Sequence, residues 1–237
     1  MIVELLLAAL WQAPAGPTGA LRRAAEMAER GEENAAEELL VETTRLYPRH
    51  PDVHFVWARL HLQRERAPLA LAALQKVLAL RPDFPRARHH KGLAHLKLAE
   101  FDTAIEEFSA ELKRDPGYGE AYYYRGIARA ARQDPSQAER DLRRALELTP
   151  GSPSVRFQLA KLQIDAGRPA EAVVLLRRSL QIQPGYPLAH YQLGRAYQQL
   201  GRGKEAETEF ARARQLQEEE RAAAAQTLRQ AGAKLQP

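Results

Sequence analysis

The 237-residue chain contains no cysteine. This absence excludes disulfide bonds, thiolate metal sites, cysteine nucleophiles and lipid attachment through a thiol, and it is compatible with either redox compartment. No stretch shows the alternation of β-branched and polar residues that is typical of strands. Alanine, leucine, arginine and glutamate dominate instead, and all four favour helices. We therefore predict an all-α protein.

The chain also lacks a long apolar run and a strong charge imbalance. Its most apolar segment, Met1 to Trp11, has about half of the roughly 20 residues that a transmembrane helix needs. The formal net charge of +5 comes from 35 basic and 30 acidic residues. A surplus this small, mixed along the chain, does not by itself indicate a nucleic-acid binder. We expect no stable membrane span and no nucleic-acid partner.

The sequence repeats with a period of 34 residues. Five prolines mark this interval: Pro48, Pro82, Pro116, Pro150 and Pro184. An alanine keeps the same interval: Ala36, Ala70, Ala104, Ala138, Ala172 and Ala206. A period of about 20 to 50 residues is typical of stacked repeats, which bury their apolar faces against their neighbours.

Anchoring each repeat on its proline gives six repeats over residues 17–220: 17–50, 51–84, 85–118, 119–152, 153–186 and 187–220. Position 8 of each repeat holds a small residue: Ala24, Ala58, Gly92, Gly126, Ala160 and Gly194. Position 24 holds a large apolar residue: Leu40, Leu74, Phe108, Leu142, Leu176 and Phe210. This pattern predicts two antiparallel helices per repeat, A and B, which approach closely at the small residues.

A small residue at position 8, alanine at 20, leucine or phenylalanine at 24 and proline at 32 resembles the tetratricopeptide repeat. The resemblance covers residues 17–220, and the segment from His190 to Tyr197 matches the family pattern well. It implies an α-solenoid, a right-handed superhelix of about six helix-turn-helix repeats. Because Glu218 stands where the last proline would be, we expect the last helix to run on towards Arg229, with residues 221–237 as a capping helix and tail.

Residues 1–16 carry a candidate targeting signal. The apolar run has the length of a signal-peptide core, and Ala13-Pro14-Ala15 fits the small-x-small pattern of a cleavage site. No basic residue precedes the run, however, and Glu4 lies within it. The pattern favours an exported, periplasmic location in a bacterium over a cytoplasmic one. The alternative is a short N-terminal helix that caps the first repeat.

In this family, helix A lines the concave groove, and positions 5 and 9 of each repeat face it. Position 5 here holds mostly rings: Leu21, Phe55, His89, Tyr123, Phe157 and Tyr191. Position 9 and its surroundings supply basic residues. The resemblance therefore predicts these partner-binding residues: Phe55, Arg59, Arg86, His89, Lys97, Tyr123, Phe157, Lys161, Tyr191 and Arg195. The alternatives are rings that only cover the adjacent helix and basic residues that form a solvated face.

These patterns predict a non-enzymatic scaffold that binds a protein or peptide in the groove, with a preference for acidic partners. The serines have no nucleophile-elbow context and the glycines form no phosphate-cradling loop. His89, His90 and His95 lack the spacing of metal ligands on a helix, so we expect neither a metal nor a cofactor. The alternatives are an accessory or regulatory subunit of a transferase or peptidase complex, and an RNA-binding or polyanion-binding helical repeat.

Overall fold

The computed structural model describes the backbone of residues 16–233 and the side chains to residue 227. Helices connected by short turns make up this range, and no strand occurs in it. They are α1 Thr18–Glu29, α2 Glu33–Leu46, α3 Pro51–Gln63, α4 Ala67–Leu80, α5 Ala87–Lys97, α6 Phe101–Arg114, α7 Gly119–Ala131, α8 Pro135–Leu148, α9 Pro153–Asp165, α10 Pro169–Ile182, α11 Pro187–Gln199 and α12 Gly203–Ala233. The signal peptide or capping helix predicted near the N-terminus lies in residues 1–15, outside the described residues.

The chain divides into two halves with three helix pairs each. The N-terminal half ends at Pro116 and holds α1 to α6, and the C-terminal half begins at Gly117 and holds α7 to α12. Odd-numbered helices are the A helices and even-numbered ones the B helices. Within each half, consecutive helices pack on each other and each A helix also contacts the next A helix. The predicted all-α repeat fold is confirmed.

The turn between helices A and B has the same backbone conformation throughout the described repeats. Position 15 is left-handed, with φ from 57° to 78°, at Gly31, Glu65, Ala99, Gln133, Gly167 and Gly201. The next N–H then returns to a carbonyl five residues earlier, as from Glu32 to Met27 and from Arg202 to Tyr197, each at 2.9 Å. This Schellman-type bond satisfies the end of helix A. Non-glycine residues hold the conformation at a cost of about 1–2 kcal/mol, so the turn is set by the repeat and not by glycine alone.

Helices A and B cross at position 8, and the pair of residues at positions 8 and 24 fills the crossing. A Cβ on Gly92 would lie 2.7 Å from the Phe108 ring, and one on Gly194 would lie 2.6 Å from the Phe210 ring. Both contacts are too short for real atoms, so glycine is required beside phenylalanine. The other repeats pair Ala24 with Leu40, Ala58 with Leu74, Gly126 with Leu142 and Ala160 with Leu176.

A buried ion network joins α7 to α8 in addition to this apolar crossing. The carboxylate of Asp141, whose residue is 3% exposed, accepts two hydrogen bonds from Arg125 at 2.7 and 2.8 Å and one from Arg129 at 2.7 Å. Burial lowers the pKa of Arg129, partly offset by Asp141. The repeat pattern did not predict this network.

The last helix, α12, is 31 residues long and continues past the repeat as predicted. Its capping contacts come from its first half, where Ala206, Ala213 and Leu216 are buried, whereas the side chains of residues 217–227 are all exposed. The helix also passes through Gly232. One glycine costs only about 1 kcal/mol relative to alanine, too little to end a helix rich in alanine. No helix in the described range is long and apolar enough to cross a membrane.

Candidate functional site

The A helices of each half present a common surface, which we call the A-helix face of that half. In the N-terminal half it is formed by α1, α3 and α5, and in the C-terminal half by α7, α9 and α11. Neighbouring A helices touch in both halves, so residues at equivalent repeat positions lie in rows across each face. The residues predicted to bind a partner divide between these two surfaces.

Phe55, a predicted binding residue in the N-terminal half, is half-buried and already has aromatic neighbours. Its ring centroid lies 4.8 Å from that of Phe84 and 4.8 Å from that of His90, the latter in an edge-on arrangement. Such aromatic pairs stabilise the packing beyond the area they bury. Phe55 therefore covers the adjacent repeat and also lines the face.

His89 does not lie on the surface, so its position does not support its predicted role in partner binding. Its residue is 2% exposed, with its ring 5.6 Å from that of Phe108 and 5.3 Å from that of His90. Burial, together with the charges of the nearby His90 and Arg86, lowers the pKa of His89 to about 3. A side chain enclosed in this way packs against the adjacent helix, which was the alternative to a binding role.

The buried neutral His89 should make the protein less stable in mild acid. The unfolded chain binds a proton on this residue below about pH 6.5, whereas the folded state resists protonation down to about pH 3. Stability is therefore lost as the pH falls through this window, by about 2 kcal/mol between pH 7 and pH 5. Urea unfolding at the two pH values should show this loss in the wild type and a smaller one in His89→Leu. Leucine suits the site because Leu21 stands at the same position of the first repeat. Equal losses in both proteins would contradict the assignment.

The rings of the C-terminal half differ in exposure. Phe157 is only 7% exposed and packs against Tyr186, with centroids 5.1 Å apart, so its predicted role as a contact residue is also not supported by its position. Tyr191 is 47% exposed even though its ring lies 5.5 Å from that of Phe210. Tyr123 is half-buried, and burial raises its pKa, partly offset by a hydrogen bond with Gln158. Tyr123 and Tyr191 are therefore the accessible rings of this face.

The predicted basic residues are mostly neutralised by acidic ones. The structure pairs Arg59 with Glu29 (3.6 Å), Arg86 with Asp115 (2.8 Å), Lys97 with Glu65 (3.6 Å) and Arg195 with Asp165 (3.3 Å). Lys161 differs, since no carboxylate among the described residues lies within 4.0 Å of its ammonium group. The faces are thus less cationic than the sequence predicted, with one exposed ammonium that has no acidic partner in the described part of the chain.

An apolar cleft opens on the A-helix face of the N-terminal half, and we call it the N-terminal cleft. It has a volume of about 250 Å³ and lies between α1, α3 and α5. Ala28 and Leu40 form part of its wall, and Arg59 with Glu29 stands beside it. Gln63 also lines it and donates a hydrogen bond to the carbonyl of Ala28 at 2.8 Å. The sequence prediction included Arg59 but missed the small residues that create the space.

A second cleft, the C-terminal cleft, lies between α7 and α9. Its volume is about 270 Å³, and Ala130, Leu142, Gln158, Lys161 and Asp165 are among its lining residues. Ala28 and Ala130, one in each cleft, stand at position 12 of their repeats, where the second and third repeats have leucine. That difference is a signal in the sequence which could have located both clefts.

Two family models, both described as tetratricopeptide repeat, match the chain. They match residues 28–85 and 89–153 for one model and 129–178 and 163–231 for the other. Among curated proteins no sequence relative is detected.

Solved structures of similar fold include MamA, with 23% identity, a TM-score of 0.62, and coverage of 70% of this chain and 96% of that one. Pseudomonas aeruginosa pilF has 18% identity and a TM-score of 0.72, with coverage of 81% and 87%. YrrB, described as a TPR protein with an unusual peptide-binding site, has 21% identity and a TM-score of 0.60, with coverage of 79% and 97%. At these identities the similarity shows a common fold.

The family models together span well over half of the sequence, and the described helices repeat with the period that they require. The α-solenoid class predicted from the residue pattern is confirmed. The capping role predicted for residues 221–237 stays a prediction, because the buried contacts of α12 come from Ala206, Ala213 and Leu216. Members of the family are typically non-catalytic scaffolds for protein interactions. The chain belongs to the tetratricopeptide repeat family.

Proposed function

We propose that the protein is a non-catalytic scaffold that binds an extended peptide segment of a partner protein on its A-helix faces. The observation that carries this proposal is the N-terminal cleft, an apolar opening of about 250 Å³ on the surface that the A helices share. Phe55 and Val56 line the adjoining cleft beside Arg59, so an apolar surface continues along the face. YrrB, which has a similar fold, is described as having a peptide-binding site.

The size of the cleft favours a side chain over a small-molecule ligand. Sites for cofactors and drug-sized ligands usually enclose about 300–1,000 Å³, which is more than this opening provides. Burial of one leucine or phenylalanine side chain contributes about 1.5–3 kcal/mol. A micromolar complex needs about 8 kcal/mol, so a partner must contact several places on a face. Repeats that present one such surface after another suit an extended chain.

The charges of the face favour a partner with carboxylates. Arg59 and its partner Glu29 are both well exposed, and their 3.6 Å ion pair is worth at most about 1 kcal/mol. A ligand carboxylate can therefore replace Glu29 at little cost. Attraction of this kind between exposed groups weakens as salt is added. We expect an acidic peptide to bind less tightly at high ionic strength.

Filling the N-terminal cleft should weaken binding without unfolding the protein. Peptides of twelve residues displayed on phage would first be selected against the whole chain to provide the probe. Ala25→Arg places a long side chain at the cleft, at a repeat position where Arg59 and Arg195 already stand. Loss of one buried anchor predicts about 10- to 150-fold weaker binding of the selected peptides. Isothermal titration with synthetic peptides measures the effect.

The matched control is Val41→Arg on α2, a B helix. Val41 is 59% exposed and does not line the cleft, so the same kind of substitution there should leave binding unchanged. Circular dichroism checks that both variants keep the helical content of the wild type. Equal affinities for the two variants, or a loss that is larger in Val41→Arg, would contradict the use of the A-helix face.

A further inference from the structure

The C-terminal cleft is a second copy of the N-terminal cleft. Each residue that lines it stands 102 residues, or three repeat lengths, after a residue that lines the first. Ala130 corresponds to Ala28, and Leu142 corresponds to Leu40. The two sites thus share a wall of the same side chains, built at the same place in the repeat.

Both clefts arise where position 12 of helix A is alanine. The other repeats have larger residues at this position: Leu62, Leu96, Ile164 and Gln198. A leucine carries three more carbon atoms than an alanine, so it would make either opening smaller. The first and fourth repeats therefore each lack the atoms that fill this place elsewhere.

The two copies place their acidic residue differently, at Glu29 in the N-terminal cleft and at Asp165, the counterpart of Gln63, in the C-terminal cleft. In the N-terminal cleft the ion pair between Arg59 and Glu29 leaves no net charge at the edge. In the C-terminal cleft Lys161 replaces Arg59, and Ala131 replaces Glu29. Both Lys161 and Ala131 are exposed. Ala131 thus provides no acid at the place where Glu29 pairs with Arg59, and the acid of this cleft, Asp165, pairs with Arg195 instead.

The other polar residues of the C-terminal cleft also suit an anion. Gln158 replaces Val56 of the first cleft and adds an amide beside Lys161. Asp165 is the one carboxylate among the lining residues, and it is engaged by Arg195 at 3.3 Å. The Lys161 ammonium therefore has no described carboxylate within 4.0 Å, although Asp165 lines the same opening.

We propose that the C-terminal cleft recognises a pair of neighbouring peptide residues: an apolar side chain that enters the cleft and a carboxylate that binds Lys161. In the N-terminal cleft Arg59 already pairs with Glu29, so a carboxylate beside the apolar side chain contributes less to binding there. The proposal rests on the proposed function, because it names the chemistry of a peptide that binds the A-helix faces. The carboxylate comes from an aspartate or glutamate side chain of the partner peptide.

The experiment uses the same phage-displayed twelve-residue peptides and the whole chain. Peptides that bind the C-terminal cleft should contain an apolar residue next to an acidic one. Ala131→Glu places an acid where the first cleft has Glu29. It should weaken the binding of such peptides about 3- to 10-fold, because the ion pair with Lys161, worth up to about 1 kcal/mol, is lost and the new glutamate repels the peptide carboxylate. Amide versions of the same peptides, with asparagine or glutamine, should bind both proteins equally.

Ala130→Leu tests the cleft itself and should weaken acidic and amide peptides alike, by about 10-fold or more. Leucine stands at position 12 in two other repeats, so this change suits the fold. Ala28→Leu makes the same change in the first cleft and is the matched control. It should leave the affinity for peptides that require the carboxylate unchanged. If Ala130→Leu does not fold, Ala131→Glu and Lys161→Met, both at exposed positions, still test whether Lys161 binds a peptide carboxylate.

Two results would overturn the inference and are distinct from each other. If Ala131→Glu and Lys161→Met leave acidic peptides unaffected while Ala28→Leu or Ala130→Leu weakens binding, the A-helix faces bind peptides but Lys161 does not select a carboxylate. If no cleft variant changes the binding of any selected peptide, the proposed function fails together with the inference.

Discussion

Replacing Asp141 with alanine should destabilise the C-terminal half by about 3–5 kcal/mol. The carboxylate is 5% exposed and holds the guanidinium groups of Arg125 and Arg129, which are themselves only 15% and 16% exposed. Its removal leaves two partly buried cations without the charge that compensates their desolvation. Loss of one partner of a buried ion network costs far more than the network contributes as a whole, because the remaining charges stay in the interior.

Glu147→Ala provides the control on the same helix. Glu147 lies 2.8 Å from Arg144, but its side chain is 64% exposed and that of Arg144 is 47% exposed. An exposed pair of this kind contributes about 0.2–1 kcal/mol. Urea denaturation followed by circular dichroism should therefore separate the variants by at least about 2 kcal/mol. A loss for Asp141→Ala no larger than that for Glu147→Ala would show that water reaches the network.

The fold could be predicted from the sequence because the residue pattern that indicates it recurs in each repeat. A single alanine or proline says little, but the same residue at the same interval in repeat after repeat is hard to explain without a common structure. Position 8 predicted close helix crossings, and the Cβ distances at Gly92 and Gly194 show how close they are. The length of α12 was likewise predicted, because glutamate and alanine continue where a proline would have ended the helix.

The exposure and pairing of surface side chains were harder to predict from the sequence, because repeat position fixes the direction of a side chain but not its neighbours. Position 5 holds His89 and Phe157, which are buried, and also Tyr191, which is 47% exposed. The difference comes from residues elsewhere in the repeat that cover one ring and not another. Charge shows the same limit: Arg195 and Lys161 share position 9, but Asp165 of the preceding repeat pairs with Arg195, and Ala131 stands at the equivalent place before Lys161.

The clefts show what a comparison between repeats can recover. The prediction of binding residues began from large aromatic and basic side chains, whereas both openings are made by what alanine lacks. Ala28 and Ala130 differ from Leu62 and Leu96 at the same repeat position, and this difference marks the two clefts. In a stacked array each repeat serves as a reference for the others, so a missing side chain can be seen as clearly as an added one.

Phe108 is the second residue whose replacement should have a large effect. Its side chain is 0% exposed and fills the crossing beside Gly92. Phe108→Ala should cost about 3–5 kcal/mol, since the variant loses the burial of the ring and keeps part of the cavity. Gly92→Ala should cost about 1–3 kcal/mol through the 2.7 Å contact with the ring, less about 1 kcal/mol that alanine gains in a helix.

Combining Gly92→Ala with Phe108→Leu should recover most of the lost stability, because the double variant carries the alanine–leucine pair of the first, second and fifth repeats. The smaller side chain at position 24 gives the Cβ more room, as in the repeats that already pair alanine with leucine, and alanine then contributes its helix propensity. A double-mutant cycle by urea denaturation should give a favourable coupling of about 0.5–3 kcal/mol between the two positions. Gly126→Ala, which faces Leu142 in the fourth repeat, serves as the reference without phenylalanine. Additive effects at positions 92 and 108 would mean that the crossing adjusts its helix separation instead of matching the two side chains.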